Sequence, residues 1–347
     1  MSGTSSPETT PKSEVKNLEE SNEARLERLG RERPAKFKSA WAEFGFCYSV
    51  LMSQVLTEYF VSGFIVALPS VTTDLEIPPN AQTWPANAFS LVVACFLLFF
   101  GRLSDMYGGF PVYIGGVVWF SVWGLIAGFS QNAWMMYFAR AFQGLGPAAY
   151  LPSSLMLLGS IYRPGPRKNI IFSLYGACAP LGFFIGIFFA GLTSQYTTWR
   201  WYFFVGVILS ASTAVVSYWS VPSDMKERRG MGVKMDWLGA GLISGGLILV
   251  VFAITDSADA PRVWATPYIY VTFIAGLLFL GAAFYVEGWV AEQPLLPFDL
   301  FKVKYMKPLC VALLFQYGVL GNWLLYATFY MTEYMGAQPL QLVAWYT

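Results

Sequence analysis

The sequence predicts an all-α membrane protein that crosses the bilayer many times. Of its 347 residues, 56% are hydrophobic and 12% are charged, which is more apolar material than one soluble core of this length requires. Apolar runs of about 20 residues, the length that crosses a bilayer as a helix, recur from residue 44 onward. Lys and Arg cluster in alternate intervals between these runs. Together these three observations indicate a polytopic helical protein embedded in lipid.

Nine apolar runs are long enough to span a bilayer, and a shorter run follows them. The predicted spans lie near residues 44–70, 86–103, 111–129, 134–161, 170–192, 201–221, 236–255, 267–290 and 308–331. Residues 337–347 have the pattern of a short loop and the first turn of a tenth helix. Residues 1–43 are mostly polar, which predicts a disordered or loosely helical tail, and they lack the pattern of a cleaved signal peptide. We therefore expect the first span to be retained.

Positive charge is divided unequally between the two sides of the predicted helices. Seventeen Lys and Arg residues lie just before the first span and in the loops on that side, against Arg200 and Arg262 on the other side. The seventeen are Arg25, Arg28, Arg31, Arg33, Lys36, Lys38, Arg102, Arg163, Arg167, Lys168, Lys226, Arg228, Arg229, Lys234, Lys302, Lys304 and Lys307. Because cytoplasmic loops carry the excess of Lys and Arg, the N-terminus is predicted to be cytoplasmic.

Several classes of chemistry are disfavoured by the composition. The chain has no histidine, and its four cysteines all fall inside apolar runs, where they are typical of helix packing. No metal site, cofactor or catalytic constellation is predicted, and no nucleotide-binding glycine motif or nucleic-acid partner is indicated. The chain is therefore not expected to be an enzyme or an ATP-driven pump. Any proton that it carries across the membrane must be carried by a carboxylate.

The loop GRLSDMYGGFPVY, between the second and third spans, contains a recognisable motif. Gly101, Asp105 and Gly108 match the signature Gly-x-x-x-Asp-basic-x-Gly-x-basic-basic, and the loop resembles that of the major facilitator superfamily. Met106 stands where this family usually has a basic residue, and residues 109–111 carry no charge. The resemblance implies a cytoplasmic gate, in which the carboxylate braces the N-terminal half against a C-terminal helix end. The alternative is that Asp105 ends a helix in a tight glycine turn.

The fourth span, RAFQGLGPAAYLP, resembles the same family in its Arg-x-x-x-Gly-x-Gly pattern. Arg140, Gln143 and Gly144 are spaced i, i+3 and i+4, so they share one helix face. The resemblance implies that Arg140 and Gln143 take part in proton or substrate coupling. An arginine within an apolar helix is costly and usually functional. Alternatively, Arg140 extends to the lipid headgroups at the outer interface.

The fifth span, LYGACAPLGFFIGIFFAGL, resembles the family's antiporter motif. The likeness is carried by glycines and a proline on one helix, namely Gly176, Pro180, Gly182 and Gly186. Ala179 and Phe183 depart from the pattern. The resemblance implies a gating helix, whereas Gly182-x-x-x-Gly186 alone also fits plain close packing of helices.

The first span carries a polar stripe that is expected to line a cavity. Gln54, Glu58 and Ser62 follow one another at i, i+4 and i+8. Glu58 is the carboxylate placed well inside the first six predicted spans, and we expect it to face Arg140 and to carry the coupled proton. Related fourteen-span exporters often place their acidic residue at the position of Phe60, about 200° round the helix from Glu58. The alternative is a glutamate that neighbouring helices satisfy.

Later landmarks resemble the fourteen-span drug:proton antiporter branch, in its fungal multidrug, aminotriazole-resistance and secondary-metabolite exporters. The landmarks are Asp236-Trp237-Leu238-Gly239, Glu287 and Pro294-Leu295-Leu296. The resemblance divides the chain into a tail (1–43), a six-helix half (44–221), a loop with two linker helices (222–291) and an incomplete second half (292–347). It also implies a multi-pass protein of the plasma membrane, with the vacuolar membrane as the alternative.

The function predicted from this resemblance is secondary active efflux by alternating access. The expected partners are membrane lipid, a small hydrophobic substrate, protons and a missing C-terminal half. The 29 Phe, 20 Tyr and 13 Trp suit an apolar or aromatic substrate. The alternatives are an uptake permease for a nutrient or ion, and a non-transporting fragment or receptor-like subunit. Because the second half is incomplete, the chain alone is not expected to transport.

Overall fold

A computed structural model describes residues 30–257 and 260–346. Within these ranges the regular structure is helical and contains no β-strand, which confirms the all-α prediction. The main helices are α1 (Ala40–Asp74), α2 (Trp84–Tyr107), α3 (Gly109–Gly128), α4 (Ala133–Ile161), α5 (Pro166–Tyr196), α6 (Trp199–Ser220), α7 (Trp237–Ser257), α8 (Pro267–Val290), α9 (Met306–Tyr334) and α10 (Pro339–Tyr346). A short helix, Met225–Arg229, lies between α6 and α7.

Eight of the described helices, α1 to α3 and α5 to α9, are long and apolar enough to cross a membrane. Helix α4 corresponds to the fourth of the nine predicted spans, 134–161, and is 29 residues long. It contains Arg140, Gln143 and several serines, which lower its hydropathy. The side chains of Arg140, Gln143, Ser153 and Ser154 are buried by the neighbouring helices. Apolarity alone therefore does not identify a helix that lies inside a bundle.

Helices α1 to α6 form a bundle in which α4 packs along α2 and α3, α1 along α5 and α6, and α3 along α6. Helices α7 and α8 pack on each other, and α7 also lies beside α2. The rings of Trp84 and Phe252 meet there at 5.7 Å between centroids, and Phe99 meets Trp237 at 6.0 Å. These contacts place the α7–α8 pair on the outside of the six-helix bundle.

Helix α9 is largely exposed and contacts the second half of α1. Helix α10 turns back and packs on α5, where the backbone N–H of Leu340 donates to Gln195 Oε1 at 3.0 Å. The hydroxyls of Thr328 and Tyr346 lie 2.7 Å apart and join α9 to α10. The predicted opening turn of a tenth helix is thus present as an eight-residue helix.

The segment before α1 is ordered where it is described, contrary to the predicted tail. Residues 1–29 lie outside the described residues, and α1 begins at Ala40. Phe37 is buried, with its ring 5.3 Å from that of Phe46 and 6.1 Å from that of Tyr162. The prediction of disorder was wrong for residues 30–43, because Phe37 packs on the rings of Phe46 and Tyr162, and Arg33 and Lys36 pair with Glu43 of α1 and Glu227 of the short helix after α6.

Candidate functional site

Arg140 is fully enclosed in the bundle, with 1% of its surface exposed. Its guanidinium lies between two aromatic rings, 4.2 Å from the centroid of Phe64 and 4.3 Å from that of Phe89. It donates to Pro85 O at 3.3 Å, to Gln143 Oε1 at 2.8 Å and to Phe60 O at 3.1 Å. The interfacial alternative is therefore wrong, because these acceptors and rings hold Arg140 inside the protein. The predicted pairing of Arg140 with Gln143 on one face of α4 is present.

Three successive carbonyls of α1 accept side-chain hydrogen bonds beside a π-helical turn. The turn spans Tyr59–Gly63, a geometry that often occurs at functional sites. Glu58 O accepts from Ser62 at 2.8 Å, and Tyr59 O accepts from Tyr202 at 2.6 Å. Tyr59 returns the bond to Tyr202 O at 2.8 Å, and their rings stack at 4.7 Å. With Arg140 on Phe60 O, donors from α4 and α6 hold the middle of α1 in this shape.

Glu58 lies half-buried on the side of α1 that packs against α5. Its Oε1 accepts a 3.4 Å hydrogen bond from Gln54 Nε2, so two members of the predicted polar stripe are in contact. Among the described residues, no Lys or Arg forms an ion pair with Glu58. The expectation that Glu58 faces Arg140 is not met, because Arg140 binds the opposite side of α1 at Phe60. The site therefore has two separate parts, a fixed cation and an unpaired carboxylate.

The residues of the antiporter motif divide into two pairs on α5. Gly182 and Gly186 are buried against α1, where a Cβ on Gly186 would lie 2.6 Å from Tyr59 O and 2.8 Å from Tyr59 Cα. A Cβ on Gly182 would lie 2.5 Å from Val55 O. Gly176 and Pro180 are exposed, and a Cβ on Gly176 would meet nothing within 4 Å. The first pair thus lets α5 touch the backbone of α1 directly beside Glu58 and the π turn.

Gly186→Ala is expected to destabilise the bundle by about 2 kcal/mol, since its methyl group would push α5 away from α1. Gly176→Ala makes the same chemical change on the same helix in open space and is expected to change stability by less than about 0.5 kcal/mol. Thermal unfolding of the two variants in detergent micelles checks this difference. Equal melting temperatures for both variants would contradict the close contact.

The turn between α2 and α3 is built around Gly108 and a carboxylate that the sequence analysis did not identify. Gly108 has φ 106°, a conformation that favours glycine, and a Cβ there would lie 2.8 Å from Asp224 Oδ1. Asp224 is buried and accepts hydrogen bonds from Gly109 N at 2.8 Å and Phe110 N at 3.1 Å. An anion therefore does cap a helix N-terminus at this loop, but it comes from the segment after α6.

Asp105 occupies a different position from the one that a helix cap requires. Its Oδ1 lies 3.8 Å from Arg228 Nη1, and the side chain is 43% exposed. Arg228 also lies 4.0 Å from Asp224 Oδ2, so it is the basic neighbour of both carboxylates. Gly101, one turn earlier, lies beside Pro152 of α4, where a Cβ would make an ordinary contact of 3.5 Å. We call the loop of residues 101–113 the gate loop. It receives its positive charge from Arg228 of the short helix Met225–Arg229, in place of the basic residues absent from the motif.

Asp224→Ala is expected to destabilise the protein by about 2 kcal/mol, since two backbone N–H groups lose a charged acceptor. Asp105→Asn is expected to cost less than about 0.5 kcal/mol, because its ion pair is long and exposed. Melting temperatures of the two purified variants show which carboxylate contributes more to stability. A larger loss for Asp105→Asn would mean that the cap at Asp224 contributes little.

The loops on the basic side are joined to one another at one end of the bundle. Arg102 donates to Lys234 O at 2.9 Å and to Gln293 O and Oε1 at 3.0 Å, which ties α2 to the segments before α7 and after α8. Lys36 Nζ lies 2.8 Å from Glu227 Oε2, and this hydrogen bond lowers the pKa of the Glu227 carboxyl. The lowered pKa means that the link persists to more acidic pH and weakens once Glu227 is protonated.

The opposite end has its own ion pair. Arg200 Nη1 lies 2.8 Å from Asp74 Oδ2, which also accepts from Trp199 Nε1 at 3.0 Å. Arg200 donates to Ser130 O at 3.1 Å as well. These contacts join the ends of α1, α3 and α6.

Comparison with known proteins decides the family of this helical bundle. The family model described as Major Facilitator Superfamily matches residues 50–345. The chain belongs to the major facilitator superfamily. Its fold is accordingly that of a transporter family, whose members are generally not enzymes. The match includes the gate loop, Arg140 and Glu58.

Curated relatives of this major facilitator protein carry several functional names. A low affinity ammonium transporter of Saccharomyces cerevisiae is 34% identical over 89% of this chain and 60% of its own length. Efflux pump terJ of Aspergillus terreus is 32% identical over 87% of this chain and 59% of its own length. The aminotriazole resistance protein of Saccharomyces cerevisiae is 33% identical over 85% of this chain and 55% of its own length. The chain spans between 55% and 60% of the length of these three relatives.

Proposed function

We propose that this chain is part of a proton-coupled exporter of small hydrophobic molecules. The exporter is of the fourteen-span antiporter type and works by alternating access. The observation that carries the proposal is Glu58, a half-buried carboxylate with no ion-pair partner in the described residues. A carboxylate in this position can take up and release a proton, and its charge change would alter the contact between α1 and α5. Relatives named as an efflux pump and as a resistance protein favour export.

In this proposal Arg140 has a positioning role. Its hydrogen bond to Phe60 O and its contact with the Phe64 ring hold the π turn of α1, while Pro85 O, Gln143 and Phe89 fix the guanidinium, and Glu58 directly precedes that turn. Gln54 holds the Glu58 carboxyl, and Gln143 fixes the guanidinium. Gly182 and Gly186 bring α5 against this part of α1, so that protonation of Glu58 can change the packing of α5 on α1.

The gate loop is proposed to act at the cytoplasmic end. Gly101, Asp105 and Gly108 belong to a turn that is already fixed by Asp224, which leaves the exposed Asp105 able to exchange partners. We propose that Asp105 leaves Arg228 and binds a C-terminal helix end in the outward-facing state. Helices α7 and α8 are proposed as the linker pair between the two halves, since they pack on each other outside the bundle and α7 lies beside α2.

We expect the end that carries the Lys36–Glu227 pair to be cytoplasmic, because the basic loops gather there. The protein is proposed to reside in the plasma membrane. In a variant whose native cysteines are replaced, an impermeant maleimide added to intact cells should label cysteine at Arg262 and not at Lys226. The reverse labelling pattern would overturn the proposed orientation.

Uptake of a small cation is the second candidate, because one relative is named as a low affinity ammonium transporter. The unpaired Glu58 suits a cation as well as a proton. Measurements of dye retention and methylammonium uptake distinguish the two functions in an efflux-deficient yeast that expresses the full-length protein. Export predicts lower retention of a fluorescent hydrophobic dye and unchanged uptake of methylammonium. Higher methylammonium uptake with unchanged dye retention would replace export by import.

A further inference from the structure

A groove with basic and apolar walls opens between the first turns of α1 and α5. Its volume is about 950 Å³, which is enough for the headgroup and upper chain region of a lipid. Arg31, Arg33 and Arg167 line it together with Glu43, so its charged side chains carry a net positive charge. The groove lies outside the Glu58 and Arg140 sites and is not used by the proposed transport mechanism.

The one acidic residue of the groove is already occupied by protein donors. Glu43 is 7% exposed and accepts two hydrogen bonds from Arg167, at 2.8 Å and 2.7 Å. Tyr162 donates to it as well at 3.0 Å, and Arg33 Nε lies 3.5 Å away. Because its carboxylate is neutralised from several sides, Glu43 does not oppose a second anion at the rim. The side chain of Arg33 is 43% exposed at this rim.

The apolar wall of the groove faces outward from the bundle. Trp41 is 81% exposed, Phe44 is 65% exposed and Ile170 is 61% exposed. The rings of Trp41 and Phe44 meet edge to face at 6.3 Å, so they form one aromatic surface at the first turn of α1. Aromatic residues in such positions are typical of the membrane interface. A ligand that fits must therefore be anionic at one end and apolar at the other.

We propose that this groove binds one anionic phospholipid, with its phosphate and carboxylate or inositol group at the arginine rim and its chains along Trp41, Phe44 and Ile170. Charge complementarity selects an anionic headgroup over a zwitterionic one, and basic pockets between membrane helices bind such headgroups. The proposal uses the orientation given above, in which this end lies at the cytoplasmic leaflet. The bound lipid would connect α1 to α5 at the end opposite the Asp74–Arg200 pair.

The test is binding of short-chain lipids to the purified full chain in detergent, measured by native mass spectrometry. Dioctanoyl phosphatidylserine should bind more tightly than dioctanoyl phosphatidylcholine, and Arg33→Gln should weaken phosphatidylserine binding about fivefold. Arg33→Lys keeps the charge and should bind within about twofold of the unaltered protein. Lys307→Gln is the matched control, since it removes another exposed positive charge from the same predicted side, outside the groove, and should have no effect.

Three results would overturn the proposal, and none depends on transport activity. The first is equal binding of the two lipids by the unaltered protein. The second is equal binding of phosphatidylserine by Arg33→Gln and Lys307→Gln. The third is equal binding of soluble glycerophosphoserine, which would mean that the groove takes a free anion and not a lipid. Because detergent removes sidedness, an inverted orientation would not affect these outcomes and would contradict the proposed function separately.

Discussion

Arg140→Ala is expected to lower the stability of the protein by about 3 kcal/mol and to reduce transport with it. The change leaves a cavity between Phe64 and Phe89 and removes donors from Phe60 O and Pro85 O inside the bundle. Gln143 Oε1 loses its donor as well, although the Gln143 Nε2 group already has no partner in the described structure. The measurement is the melting temperature in detergent together with substrate export from cells that express the full-length protein.

Arg140→Lys is the informative companion to this variant. A lysine keeps the charge, but its ammonium cannot stack between the two rings and reach carbonyls on both α1 and α2. It is therefore expected to recover less than half of the lost stability. Arg262→Ala, on an exposed loop, is the control and should be neutral. Unaltered melting of Arg140→Ala would mean that the guanidinium does not hold the π turn.

Glu58→Gln is expected to leave the protein folded and to remove the dependence of export on the pH gradient. Glutamine has the shape of glutamate and can still accept a hydrogen bond from Gln54, but its amide does not exchange a proton in the relevant pH range. Export driven by a pH gradient should fall to the rate measured without one. The measurement is dye efflux from energised membrane vesicles at several imposed gradients.

Glu76→Gln provides the matched control for this variant. Glu76 is an exposed carboxylate just beyond the C-terminal end of α1, and its neutralisation should leave the gradient dependence unchanged. Equal, unaltered gradient dependence in Glu58→Gln and Glu76→Gln would remove Glu58 from the coupling mechanism. The assignment of the family would not be affected, because it rests on the match over residues 50–345.

Much of the fold could be predicted from periodic apolarity and charge. The spans and the all-helical class follow from the need to satisfy every backbone group in lipid, which leaves helices as the available structure for runs of this length. Arg140 and Gln143 could also be placed on one face, since helical spacing fixes which residues are neighbours. The sequence did not indicate which side of α1 would receive Arg140, because the register between two helices is set by packing.

Contacts between distant segments account for what the sequence analysis missed. Asp224 was overlooked because it is 115 residues from Gly109. Its local sequence, Asp-Met-Lys-Glu, indicates the start of its own short helix and gives no sign of a bond to α3. The ordered segment around Phe37 was missed for a related reason, since its composition is polar and its partners lie on α1 and α4. The π turn was also unforeseen, because it depends on donors that arrive from α4 and α6.

The central claim is that transport by this protein is exchange of a substrate for protons through Glu58. The most direct measurement is proton movement in liposomes that contain the full-length protein, followed with an internal pH indicator while substrate is added on one side. The account predicts that a substrate gradient drives protons in the opposite direction and that Glu58→Gln abolishes this movement while retaining substrate binding. Substrate transport at an unchanged rate with no proton movement in the unaltered protein would contradict it.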